Sequence, residues 1–208
     1  MSTIIIDLQY LPTLEYFCSI SKADTVIIEA KENYIKQSFR NRTHILGANG
    51  VCSLTVPVIN GNSKTPIQEL RIDNSQNWIN IHWRTLQSAY GKAPFFEYYE
   101  SYFKELLYAK EEFLFDLNKK LLTICLKLLE FDTKVIFSKE YSKTPNNDVL
   151  DLRSAIHPKN SFATNRFYQS QPYIQLFGSE FVSNMSIVDL IFCEGPNSGY
   201  IISQSTIN

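Results

Sequence analysis

The sequence is short of most things that would name a function. It has three histidines and four cysteines in 208 residues. Cys18, Cys52, Cys125 and Cys193 stand far apart, with no pair at zinc-finger or thioredoxin spacing, and read as buried thiols in a reducing cytoplasm. His44, His82 and His157 are separated by long intervals and lack an acidic partner at ligand spacing, so no metal site is expected. No Gly-rich phosphate loop, nucleophile elbow or His-Glu zinc helix is present, and no cofactor is expected. An excess of one charge is also missing. Twenty Lys and Arg against 21 Asp and Glu give a net charge of −1, whereas nucleic acid and anionic membranes attract proteins with a clear basic surplus. No apolar run reaches the roughly 20 residues of a membrane-spanning helix. The opening Met1-Ser-Thr-Ile-Ile-Ile-Asp7 has neither the basic region nor the long apolar stretch of a signal peptide. These absences point to a cytoplasmic protein with no nucleic-acid partner and no integral membrane segment.

What is present is an ordinary globular composition, 44% hydrophobic and 20% charged, with aromatics unusually plentiful at 12 Tyr, 14 Phe and 2 Trp. The length suits one domain over residues 1–208, able to bury roughly 70% of its unfolded surface. No internal repeat or dividing linker stands out, and a homo-oligomer is left open.

The β-branched runs Ile4-Ile-Ile6 and Thr25-Val-Ile-Ile-Glu29 read as buried parallel strands, with a short helix through Leu14, Phe17, Cys18 and Ile20 between them. In an open α/β sheet, ligands bind beyond the strand ends, so chemistry should begin near Gln9, Tyr10 and Pro12. From His44 to Val58, Asn49-Gly50 joins two segments with alternating apolar residues, which predicts a β-hairpin with a type I′ turn. Ile67 to Ile72 reads as another strand. Three helices follow. The first runs from a cap at Asp73 or Asn74 through Trp78, His82 and Tyr90 to a stop at Gly91; the second starts near Pro94; the third runs from Leu114 to Leu128. Lys134 to Ser138 reads as a strand, 139–171 as long loops around a short helix, and Tyr173 to Phe177 as a last strand. Ser186-Ile-Val-Asp189 opens a helix as a capping-box variant that stops at Gly195, with a frayed tail from Asn197. The expected fold is α/β, a Rossmann-like open, mostly parallel sheet with an inserted β-hairpin and a helical segment.

The densest chemistry lies between Lys31 and Arg42, where Lys36, Arg40 and Arg42 fall within seven residues. Arg is a planar fork and Lys a compact point charge, and both suit phosphate or carboxylate. Tyr34 and Phe39 add stacking surface, while Asn41 donates and accepts. On composition alone such a run is more often a solvated turn paired with Glu29 and Glu32. Trp78, His82 and Tyr90 form either a stacking wall or a packed helix face. Asp189 is either a cap or a group that holds a ligand hydroxyl.

Several of these residues resemble one family. Gln9-Tyr-Leu-Pro12 with Tyr16-Phe17, then Tyr34, Lys36, Asn41 and Arg42, then Trp78, His82, Tyr90 and Ala93-Pro94, and finally Ser186 to Asp189 with Gly195 follow the motif order of the WbqC-like family. Glu15 stands where the family often has Gly, and Tyr10 where Pro commonly follows the first Gln. The family's resemblance to proteins encoded beside O-antigen and capsule genes implies work on bacterial surface-glycan precursors. The opening strand, Pro-containing turn and helix also resemble those of adenylate-forming ligases and nucleotidyltransferases, with Tyr16 where those folds place a His near the α-phosphate.

The sequence therefore suggests a transferase acting on a phosphate-bearing donor, a nucleotide-linked amino sugar or an activated acyl group. Tyr34, Lys36, Arg40, Asn41 and Arg42 would bind phosphate and Trp78 or Tyr90 a ring; Gln9, Tyr16, His82 and Asp189 are the catalytic candidates. The alternative is a non-catalytic scaffold that recruits glycan-assembly enzymes.

Overall fold

A computed structural model describes residues 2–159 and 167–207. Strands β1 (Thr3–Asp7) and β2 (Thr25–Glu29) are the two β-branched runs, joined by helix α1 (Leu14–Ile20). Branched side chains are stiff at χ1 and fit a pleated surface, which suits these residues to strands. Ile6, Val26 and Ile28 are wholly buried, and removing one such side chain from water stabilises the fold by about 1.5–3 kcal/mol.

Both strands belong to an open, parallel sheet in the order β5-β2-β1-β6, with Ile5 opposite Ile27 on one side and Asp151 on the other. The outer members are β5 (Lys134–Phe137) and β6 (Val149–Asp151). Between β2 and β5 the chain makes the hairpin β3 (Arg42–Gly47) and β4 (Gly50–Thr55), then helices α2 (Trp78–Tyr90), α3 (Phe96–Tyr108) and α4 (Leu114–Leu128). After β6 come α5 (Ile187–Glu194) and α6 (Ser198–Ser205). Helix α5 packs on α1, α2, α3 and β3, so the hairpin and helical segment share one apolar core with the sheet. The α/β, Rossmann-like expectation holds.

Several local expectations are corrected. The hairpin turn is not type I′, because that geometry needs positive φ at both central residues and neither Ala48 nor Asn49 has it. The left-handed step falls instead on Gly50, at φ 97°. Ile67 to Ile72 is not a strand: Ile67–Glu69 is a 3-10 turn, followed by single bridges at Arg71 and Ile72. Tyr173 to Phe177 forms no strand either, since no neighbouring strand pairs with it. The polar stretch 139–171 contains β6, and among its described residues no helix; positions 160–166 lie outside them.

Asn77, rather than Asp73 or Asn74, precedes α2. Asp73 instead closes a turn by accepting from the Ser75 N–H and the Gln76 amide. The tail forms α6. Ser186 does stand at the start of α5, but its hydroxyl donates to the Leu11 carbonyl rather than capping the helix. At the far end Gly195 takes φ 54° beside Phe95, and a Cβ there would collide with the ring.

Candidate functional site

The chain leaves β1 for β2 on one side, continues outward to β5, and then returns to β6 on the other side of β1. The order thus reverses between β1 and β6, and in open parallel sheets this is where strand ends diverge and leave a crevice. Past the strand ends the two segments stay together. Leu152 donates to the Ile5 carbonyl, the Ser154 N–H to Asp7 Oδ1 at 2.6 Å, and Gln9 Nε2 to the Ile156 carbonyl at 3.3 Å.

A buried ion cluster closes the floor. Arg40 grips Glu32 through two parallel bonds of 2.7 and 2.6 Å, reaches Ser154 Oγ, and lies 3.5 Å from Asp7 Oδ2. Burial opposes its charge, yet the Asp7 and Glu32 carboxylates hold its pKa above the ordinary arginine value. Gln9 is wholly buried and donates to Asp7 Oδ2, while its own Oε1 has no partner. Tyr16 lies beneath, donating its hydroxyl to the Asp7 carbonyl at 3.1 Å.

Next to this cluster, reached through Phe39 beside Arg40 and His157 beside Ile156, is a cavity of about 460 Å³. Phe39, Val51, Pro158, Val182 and Met185 give it apolar walls; Glu15, His44, His157, Lys159 and Asn184 supply the polar groups. Phe39 meets His44 edge-on, with centroids 5.5 Å apart. Burial lowers the pKa of His44, and the Arg42 charge lowers it further. Burial also lowers His157, helped by Lys159, Arg40 and Arg42. Burial is the main cause at both imidazoles, and nearby cations add to it, against Asp7 at His157. Arg42 lies two residues from His44 on β3, and its buried Nε–H has no acceptor among the described residues. Arginine rarely leaves such a donor unpaired, because an unmet buried donor costs about 1–3 kcal/mol.

A second, more open cavity of about 520 Å³ lies directly against the ion cluster, lined by its Glu32 and Ser154 with Lys31, Tyr34, Lys143 and Arg153 among others. Here Arg153 is held by Asp151, by Glu29 at 3.0 Å and by the Ser142 carbonyl. Among the described residues no three His, Cys, Asp or Glu side chains gather as a metal site.

The residues singled out from the sequence separate into distinct places. Gln9, Tyr16 and Arg40 meet at the floor; Tyr34 lines the second cavity, and Arg42 lines neither but lies close enough to His44 and Tyr34 for its charge to act on both. Asn41 donates to the Val56 carbonyl, leaving its Oδ1 without a partner, and Lys36 is exposed. Trp78 and His82 stand elsewhere, ring against ring, lining a cavity of about 300 Å³ beside β4. Tyr10 donates to His82 Nδ1 at 2.9 Å, so His82 Nε2 carries the proton that faces the Thr55 carbonyl. Tyr90 and Asp189 form a third group, in which Asp189 accepts from Tyr90, Tyr173 and Gln175.

Glu15, His157, Lys159 and Asn184 are not among the site residues that the sequence suggests. His157-Pro-Lys159 sat in a polar loop, and its one signal was that long polar loops in α/β proteins tend to carry function. Glu15 was visible as a departure from a glycine-favoured position.

Strand order and switch point define a Rossmann-like α/β protein. The sequence profile of the WbqC-like protein family matches residues 9–165, and the chain belongs to that family. It is also 31% identical over 140 residues to the uncharacterized protein Rv1507c of Mycobacterium tuberculosis, a match covering 66% of this chain and 60% of that protein. The chain thus spans less than two thirds of that relative. No solved structure matches it significantly.

Proposed function

We propose that the crevice between β1 and β6 binds a phosphate-bearing donor, a nucleotide-linked amino sugar or an activated acyl group, for group transfer in bacterial surface-glycan precursor synthesis. The observation that carries this reading is the gathering of His44, His157 and Lys159 in one cavity next to Arg42, whose buried Nε–H has no acceptor among the described residues. A phosphate there meets His44, His157 and Lys159, with the Arg42 charge two residues behind His44 on β3. Transfer from a phosphorylated donor needs mainly positioning and charge stabilisation, so the absence of a nucleophile motif is no obstacle. Phe39 and the apolar walls suit the non-phosphate part of the ligand. The glycan setting comes from the family resemblance.

Isothermal titration with UDP- and dTDP-sugars, acyl-CoA and ATP tests the reading. Binding by one class should weaken about 10- to 100-fold in Arg42→Ala, the scale of a lost charge-assisted bond. Lys36→Ala should change it less than about threefold, as for an exposed charge. Silence across the panel, or indifference to Arg42→Ala, overturns it. The rival reading is a recruiting scaffold, favoured by the exposed rings of Tyr98 and Tyr102 one turn apart on α3. Capture of a glycosyltransferase without any small-molecule binding would support that rival.

A further inference from the structure

The crevice has one wall of opposite sign. Glu15 lines it among His44, His157 and Lys159. Its position is set by a frame that runs antiparallel to residues 12–15. Leu14 donates to the Met185 carbonyl, Ile187 to the Pro12 carbonyl, and Thr13 bridges Ser186. At the end of this frame Asn184 clamps Glu15 twice: the Glu15 N–H donates to Asn184 Oδ1 at 2.9 Å, and Asn184 Nδ2 donates to Glu15 Oε2 at 3.0 Å. Asn184 itself holds a left-handed backbone at φ 56°, which asparagine tolerates better than most residues, and its N–H is fixed by Tyr168.

The clamp uses only one carboxylate oxygen. Glu15 Oε1 makes no hydrogen bond among the described residues. Burial raises the Glu15 pKa although the Asn184 bond lowers it, so the carboxylate lacks a compensating cation inside the protein. A rigidly held carboxylate with a free oxygen, facing a cavity that also carries Lys159 and two imidazoles, is complementary to a ligand with both an anionic and a cationic group. A neutral sugar or simple acyl donor would leave that carboxylate uncompensated.

We propose that Glu15 recognises a protonated amino group, so that the crevice takes an amino-bearing phosphorylated ligand in preference to its hydroxyl counterpart. This rests on the crevice being the phosphate site, and it selects the nucleotide-linked amino sugar over the acyl donor. It also gives the Glu that replaces Gly at this family position a specificity role.

The test uses two matched pairs, UDP-glucosamine with UDP-glucose and dTDP-4-amino-4,6-dideoxyglucose with dTDP-6-deoxyglucose, titrated into the wild type and Glu15→Gln. Gln can keep both Asn184 bonds while removing the charge, and a thermal melt confirms that the variant is folded. In at least one pair the amino member should bind about 10- to 100-fold tighter, and Glu15→Gln should erase that preference without weakening the hydroxyl member. Equal affinities within both pairs, or a preference that survives Glu15→Gln, overturn the inference alone. Failure of all four compounds to bind the wild type overturns the phosphate reading and this inference together.

Discussion

Arg40 and Glu32, eight residues apart, meet fork to fork in the interior at 2.7 and 2.6 Å, with Asp7 of β1 on the other side of the guanidinium. The pair ties the segment after β2 to the end of β1. It also uses Arg40 for protein carboxylates, which leaves Arg42 as the arginine beside the crevice. Removing one partner of a buried pair strands the other charge. Arg40→Met should therefore cost about 3–5 kcal/mol in urea unfolding, and Arg40→Met combined with Glu32→Leu should cost less than the sum of the single changes.

His82 gives a pH signature. Burial lowers its pKa from 6.5 to about 4, and its two ring nitrogens are already engaged by Tyr10 and Thr55. On acidification the unfolded chain takes up the proton first, so the stability due to neutral His82 is complete above pH 6.5 and drains as pH falls towards 4. The full effect is about 3 kcal/mol. Urea midpoints at pH 7 and pH 4.5 should show a steeper loss for the wild type than for His82→Gln. Equal slopes would mean that the imidazole is not held neutral.

Asp189 is enclosed by three donors from two segments, Tyr90 on α2 and Tyr173 and Gln175 in the loop before α5. Burial raises its pKa even so, which marks a carboxylate dependent on all three bonds. Tyr173→Phe removes one bond to a charged group and should cost about 1.5–3 kcal/mol. Ligand affinity in the same variant should stay within about threefold, since none of the three residues lines the crevice. A marked loss of binding without loss of stability would return Tyr90 and Asp189 to the site.

The parts of the fold that could be read in advance are those in which one segment decides its own structure. The Ile4–Ile6 and Val26–Ile28 runs and the apolar stripes of α2, α3 and α4 carry their own periodicity, so strands and helices appear where expected. Strand β6 has only Val149, Leu150 and Asp151 inside a polar stretch, and becomes a strand because Thr3 to Ile5 offer a partner. Tyr173 to Phe177 has strand-like residues and no partner, so Tyr173 and Gln175 turn to Asp189 instead. At the site, a cluster of cations was evident, but not which of them was already matched. Arg40 finds Asp7 from another strand, whereas Arg42 stays unmatched at Nε. His157 and Lys159 approach the crevice only because the segment after β6 is laid along residues 5–9.

Ile4 pairs with Val26 on one side and with Leu150 on the other. A growing polypeptide can therefore form the first of these ladders early, but must leave the second edge of β1 open until nearly three quarters of the chain has been made. An open parallel edge bearing Ile5 is adhesive towards other strands. Translation arrested between β5 and β6 should yield nascent chains that depend on chaperones, and completion of the sheet would coincide with the moment the crevice acquires its second wall.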